Sequence, residues 1–262
     1  MRIVVTGATG NVGGAVVRLL GEDAVDVVGV SRAAGVDLGD PESLRRALDG
    51  ADALFLLVAG DRPRDVLDVA KACGVRRVVL LSSQGAGTRP GSYRHPVAFE
   101  DAVRDGGPEW TVLRPGGFHS NALAWAEGVR ERREVAAPFG DVALPGVDPE
   151  DVAAVAVAAL REDGHAGRTY ELTGPEAVSP RERARMLGDA VGEPVRFAEQ
   201  PREEARGWML GFMPEPVVEG TLAILGEPTP RERAVSPDVE RVLGRPATGF
   251  ADWARRHAAA FR

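Results

Sequence analysis

Residues 2–6 form a short apolar run that ends in a glycine turn, and Val12, Ala15, Val16, Leu19 and Leu20 follow at helical spacing. The chain therefore opens as strand, turn and helix. The alternation continues. A buried-strand pattern covers 25–30, and Asp40-Pro41-Glu42 sets an N-cap and a first-turn proline ahead of a helix through Leu48. An apolar strand at 53–58 precedes a helix over 65–73. The run Arg77-Val78-Val79-Leu80-Leu81-Ser82 has the composition of a parallel strand covered on both faces. A helix over 97–104 and a strand at 110–113 come next. Strands and helices alternating at these lengths predict right-handed crossovers and an α/β fold built on a doubly wound parallel sheet.

After Arg114 the pattern loosens, with Pro115, Gly116, Gly117, Pro138, Gly140, Pro145 and Gly146 punctuating short segments. Asp148-Pro149-Glu150-Asp151 then caps an alanine- and valine-rich helix to Leu160, and Thr169-Tyr170-Glu171-Leu172 is a last core strand. From Ser179 the chain reads as several helices separated by Gly and Pro. The expected division is a sheet domain over 1–172, with a loop-rich insertion at about 115–146, and a smaller, mostly helical substrate lobe over 173–262.

Composition narrows the classes. Among 262 residues, 44% are hydrophobic and 27% charged, as in ordinary globular proteins. No apolar run approaches the roughly 18 residues of a membrane span. The N-terminal strand leads straight into the glycine turn and leaves no room for a secretory leader, so a cytoplasmic location is expected. The net charge is −7, and the short cluster Arg130-Glu131-Arg132-Arg133 is broken by an acid, so nucleic-acid binding is disfavoured. Cys73 is the single cysteine, which rules out an internal disulfide, and no metal site is expected. A small-molecule ligand and a monomer or homodimer are the expected partners.

Gly7, Gly10 and Gly13 stand between the first strand and the first helix. There, glycines permit a tight turn, close backbone approach to a pyrophosphate and close helix packing, while the helix N-terminus offers free N–H groups. The segment marks a dinucleotide site. At the end of the second strand a carboxylate would hold ribose hydroxyls, whereas this chain has Ser31 and Arg32, a pair suited to a 2′-phosphate. NADP(H) is therefore the expected cofactor, with NAD(H) as the alternative. Asp37 and Leu38 follow a short possible strand and meet either the adenine or only the next helix.

Ser82, Ser83 and Gln84, with Gly85 and Gly87, put a hydroxyl-rich turn at the carboxyl end of what is then the fifth strand, where open α/β sheets bind ligands. Tyr93 and His95 lie a few residues on and are the candidate proton donors. Tyrosine followed by lysine four residues later is the usual proton-transfer pair of short-chain dehydrogenases. Here that position is Val97, and Lys71 is the only lysine in the chain.

With Thr6-Gly7-Ala8-Thr9-Gly10-Asn11-Val12-Gly13, Leu81-Ser82-Ser83, His95 with Glu100, and Trp110-Thr111-Val112-Leu113-Arg114-Pro115-Gly116-Gly117-Phe118 with Asn121, the chain resembles the NmrA-like branch of atypical short-chain dehydrogenases/reductases. The likeness continues through Tyr170-Glu171-Leu172-Thr173-Gly174-Pro175-Glu176 and Val239-Glu240-Arg241-Val242-Leu243-Gly244-Arg245-Pro246, nearly the whole chain. It implies a Rossmann fold with NAD(P) over Gly7 to Gly13, contacts from Arg32, Asp37 and Leu38, and a nicotinamide between Ser82-Ser83 and Pro115 to Phe118; Thr6, Ser31 and Val58 complete the cofactor-binding candidates. Gln84, His119, Asn121, Trp125, Met209 and Met213 become substrate candidates. Many relatives carry a lysine in the segment from Tyr93 to Val97, and this chain departs from them there.

Reducing a simple ketone leaves an alkoxide whose conjugate acid resembles water, near 15.7, whereas a quinone leaves a phenolate near 10. That gap of roughly 6 units is about 8 kcal/mol of product stability. A chain lacking the Tyr-Lys pair suits quinones and similar conjugated acceptors, so an NADPH-dependent reductase of such a molecule is the first expectation. A dinucleotide-binding redox sensor, and an isomerase or reductase of a secondary-metabolite pathway, are the alternatives.

Overall fold

The computed structural model describes residues 1–22 and 25–262. It contains eight strands: β1 (Arg2–Thr6), β2 (Asp26–Val30), β3 (Ala53–Leu57), β4 (Arg77–Leu81), β5 (Glu109–Pro115), β6 (Glu134–Ala137), β7 (Arg168–Leu172) and β8 (Arg196–Glu199). Six of them form one sheet in the order β2-β1-β3-β4-β5-β7, parallel throughout, and β6 pairs with β8 in a separate two-stranded parallel sheet. The helices are α1 (Asn11–Gly21), α2 (Arg45–Leu48), α3 (Pro63–Ala72), α4 (Gln84–Thr88), α5 (Arg94–Asp105), α6 (Ala126–Arg132), α7 (Pro149–Arg161), α8 (Pro180–Val191), α9 (Arg202–Met209), α10 (Glu215–Gly226), α11 (Pro230–Arg233), α12 (Asp238–Leu243) and α13 (Phe250–Arg256).

Alternation along each strand divides the core in two. Ile3, Val5, Ala53 and Phe55 face α1 and α7, where Val16, Leu20, Val152 and Leu160 complete one cluster. Val4, Leu54, Leu56, Val78 and Leu80 face the other way, against Val66 and Leu67 of α3 and Phe99 and Val103 of α5. Both faces are covered, which is why these strands carry nearly unbroken apolar runs. The chain goes from β1 to β2 on one side and returns to β3 on the other, so a crevice opens at the carboxyl ends of β1 and β3, the topological switch point.

A third apolar cluster draws on distant segments. Ala126 and Val129 of α6, Val135 of β6, Leu187 of α8 and Phe250 and Trp253 of α13 share one cluster. Register pairs such as Val135 with Phe197 tie the insertion to the C-terminal part of the chain. Val239 of α12 returns to the first core. Ala205 and Met209 of α9 pack with Val218 and Leu222 of α10 in a small satellite cluster.

Two local expectations change. No strand forms between Val30 and Asp37: a 3-10 turn over Arg32–Ala34 ends on Gly35 at φ 79, and the Asp37 carboxylate accepts from the Gly39 N–H at 2.9 Å, which bends the backbone away from the sheet. The strand ending at Leu81 is consequently the fourth. Asp40 precedes a 3-10 turn over Pro41–Leu44 without a side-chain cap bond, and only Arg45–Leu48 is α-helical. Asp148 does cap α7, accepting from the Glu150 N–H at 3.0 Å.

Candidate active site

The turn after β1 is built for close approach. Gly7 has φ 64, and a Cβ on Gly13 would collide with the Gly7 carbonyl oxygen, so only glycine lets α1 start this close to the strand. Gly10 is less confined, because its Cβ would meet only the Gly7 oxygen, at 3.2 Å. Thr6 is buried; its hydroxyl donates to Phe55 O and accepts from Leu57 N–H, both at 2.9 Å, so it stitches β1 to β3. Val12 belongs to the core, while Thr9, Gly10 and Asn11 are exposed.

Helix α1 has no side-chain cap and no acid in its first turn, whereas α7 is capped by Asp148 and α8 by a Ser179–Glu182 capping box. Its first amides therefore face the cleft unscreened, with the positive end of the helix dipole behind them. A diphosphate fits this cradle. Ser31 is half-buried at the end of β2, and Arg32 is exposed with no partner among the described residues. Leu38 is buried, and Val58 packs half-buried at the exit of β3.

At the other end of the crevice, Ser83 accepts from the Gly85 N–H at 3.2 Å and starts α4. Gln84 is buried, with its amide oxygen 3.8 Å from where a Cβ of Gly116 would stand, so α4 flanks the exit of β5. Phe118 forms a parallel bridge with Val147 and packs on the first core, three residues after Pro115. Asn11 donates to the Ser120 hydroxyl at 2.6 Å, which joins the glycine turn to the segment carrying His119 and Asn121. The fold thus brings Thr6 to Gly13, Ser31-Arg32, Val58, Ser82 to Gln84 and Pro115 to Phe118 to one edge of the sheet.

Other candidates have different surroundings. His119 is 2% exposed, edge-on to Phe250, with Nε2 3.2 Å from Thr248 O; burial, and next the charge of Arg183, lower its pKa to about 4. It is neutral at ordinary pH. Trp125 packs with the third cluster, and Met209 and Met213 with the satellite cluster. Tyr93 is 9% exposed, its hydroxyl 3.0 Å from that of Thr221 on α10, and burial raises its pKa above the ordinary tyrosine value. His95 is exposed at the start of α5; Nε2 meets the Gly60 carbonyl, and the ring stands edge-on to Phe99 at 5.2 Å. Lys71 lies beside Gly107, in the turn before β5, at the amino edge of the sheet.

Beneath the site runs a charge network that periodicity did not single out. Glu100, 1% exposed, accepts from Ser82 Oγ at 2.6 Å, from Arg114 at 2.9 and 2.6 Å and from Arg104 at 2.8 Å. Burial alone would raise its pKa, but the bonds from Arg114, Ser82 and Arg104 more than offset that and hold it low. The Ser82 proton is therefore committed to a carboxylate. Glu232, fully buried, receives Arg89 at 2.9 and 3.0 Å, joining the end of α4 to α11. A glutamate inside the apolar stripe Phe99, Ala102, Val103 was the readable signal for the first pair, and the capping box Thr229-x-x-Glu232 for the second.

Residues 7–163 match a family model described as NAD(P)H-binding. Over 99% of both chains the sequence is 41% identical to a (4-alkanoyl-5-oxo-2,5-dihydrofuran-3-yl)methyl phosphate reductase of Streptomyces griseus. It is 36% identical, again over 99% of both, to an NAD(P)H azoreductase of Xenophilus azovorans. The fold matches the NADPH-dependent quinone oxidoreductase of Escherichia coli complexed with NADPH at a TM-score of 0.81 and 25% identity, covering 98% of this chain and 99% of that one.

Proposed function

The chain belongs to the NAD(P)H-binding family, and from that membership we propose that it is an NADPH-dependent reductase whose substrates are electron-poor, conjugated small molecules. It is an NAD(P)H-dependent oxidoreductase with a Rossmann fold. When bound, the dinucleotide supplies the hydride. Gly7 to Gly13 and the first amides of α1 hold the pyrophosphate; Ser31 and Arg32 hold the 2′-phosphate; Asp37, Leu38 and Val58 border the adenosine. Ser83, Pro115 and Phe118 flank the nicotinamide, with Gln84 and Asn121 toward the substrate.

One observation carries the choice of substrate. The hydroxyl of Tyr93 is engaged with Thr221, and the only lysine stands at the far edge of the sheet, so no Tyr-Lys pair delivers a proton at the carboxyl edge. The Ser82 proton points to Glu100 and His119 is buried and neutral. Water then protonates the product, which suits acceptors whose hydride adduct is already a stabilised anion. Quinones meet that requirement. So does a dihydrofuranone of the kind named for the Streptomyces griseus relative, in which ring carbon 4 of the double bond carries two carbonyl groups.

NADPH oxidation by the purified protein, followed with a quinone, an azo dye, an alkanoyl-dihydrofuranone and an aliphatic ketone, tests this reading. Turnover of at least one conjugated acceptor and negligible turnover of the ketone are expected. Equal rates across the panel overturn the substrate class, and NADPH binding without consumption favours a redox sensor.

A further inference from the structure

We infer that His95 is a positioning residue for the cofactor: it holds the loop leaving β3 against the backbone on which the adenosine half rests. The proposal rests on the cofactor placement given above. Gly60 O can only accept, so the imidazole Nε2 facing it carries the proton and donates. Phe99, fully buried, meets the His95 ring edge-on at 87° and fixes the direction of that bond. Gly60 in turn has φ 76, and a Cβ there would collide with the Leu38 carbonyl, so the loop lies directly on the Leu38-Gly39 peptide.

That peptide is itself pinned. Gly39 N–H bonds to the Asp37 carboxylate at 2.9 Å, Ser43 Oγ accepts from Asp37 N–H at 3.0 Å, and the same hydroxyl lies 2.9 Å from Asp37 O. The segment after β2, the exit of β3 and the start of α5 therefore form one braced wall, and His95 is its only exposed side-chain tie to Gly60 among the described residues. With Nε2–H committed to a carbonyl, His95 acts through Gly60 and not on the reacting atoms.

The test separates binding from chemistry. NADPH dissociation constants, measured by cofactor fluorescence with no acceptor present, are compared with KM for NADPH and kcat on a quinone. His95→Ala is expected to raise the dissociation constant and KM about 3- to 10-fold, the range of one lost hydrogen bond, with kcat within about twofold. His95→Gln, which keeps a donor at similar reach, restores most of the affinity. Gly60→Ala, which strains the same loop from the other side, weakens NADPH binding at least as much. A His95→Ala protein with unchanged NADPH affinity, or one whose kcat falls tenfold at constant affinity, overturns the inference. Gly10→Val is measured alongside: if it too binds NADPH normally, the cofactor placement fails, whereas loss of binding in Gly10→Val with none in His95→Ala rejects only the role of His95.

Discussion

The Tyr93 hydroxyl lies 3.0 Å from the Thr221 hydroxyl, and this bond ties the segment before α5 to the middle of α10. The Tyr93 ring also stands where a Cβ on Gly85 or Gly220 would fall, so two glycines make room for it. Tyr93→Phe should leave kcat on quinones within about twofold while costing about 0.5–1.5 kcal/mol of stability, the net worth of one buried hydrogen bond. Paired assays of turnover and urea unfolding check this. A large loss of kcat at unchanged stability would return Tyr93 to the chemistry.

The glycines after β1 should separate by function. Gly13→Ala places a methyl against the Gly7 backbone and should destabilise the fold by roughly 1–3 kcal/mol or more, since a carbonyl cannot move aside as a side-chain tip can. Gly10→Val meets only a 3.2 Å approach and should fold, yet lose NADPH binding because its branched side chain covers the amides of α1. Thermal unfolding together with calorimetric titration distinguishes the two outcomes.

Cofactor choice should turn on Arg32. A planar guanidinium and the Ser31 hydroxyl around a 2′-phosphate contribute on the order of 1.5–3 kcal/mol, or a preference for NADPH over NADH of roughly 10- to 100-fold. Arg32→Asp should abolish or reverse it, because a carboxylate repels the phosphate and accepts from ribose hydroxyls. The four dissociation constants, wild type and variant with each cofactor, decide the matter; equal affinities in the wild type would make Arg32 a plain surface residue.

His119 should shape stability in mild acid. Its folded pKa of about 4 lies below an ordinary value near 6.5, so the unfolded chain binds the proton more readily. Stability from this group is complete above about pH 6.5 and drains away as pH falls toward 4, by roughly 3 kcal/mol in all. His119→Met, similar in size and without a titrating ring, should flatten that limb. Denaturant unfolding at pH 7, 5.5 and 4.5 measures it, and parallel curves for the two proteins would show that other groups govern the acid response.

Much of the six-stranded sheet and its flanking helices is written locally. Apolar strand runs, helical spacing, the glycine turn and the Asp148-Pro149 cap each depend on residues within a turn or two of one another, and apart from the stretch after Asp40 they lie where the sequence places them. The substitution of Val97 for lysine is likewise visible in the chain alone. What residues cannot encode singly is where a side chain finds its partner. Tyr93 and His95 look alike as proton donors until α10 brings Thr221 to one and the exit of β3 brings Gly60 to the other, 128 and 35 residues away. The pairing of β6 with β8, the burial of Glu232 under Arg89 143 residues earlier, and the enclosure of His119 by Phe250 arise in the same manner. Local propensity fixes which elements form. Only packing at long range, where burial removes water and leaves each polar atom to whichever donor or acceptor the fold supplies, decides what their side chains can do.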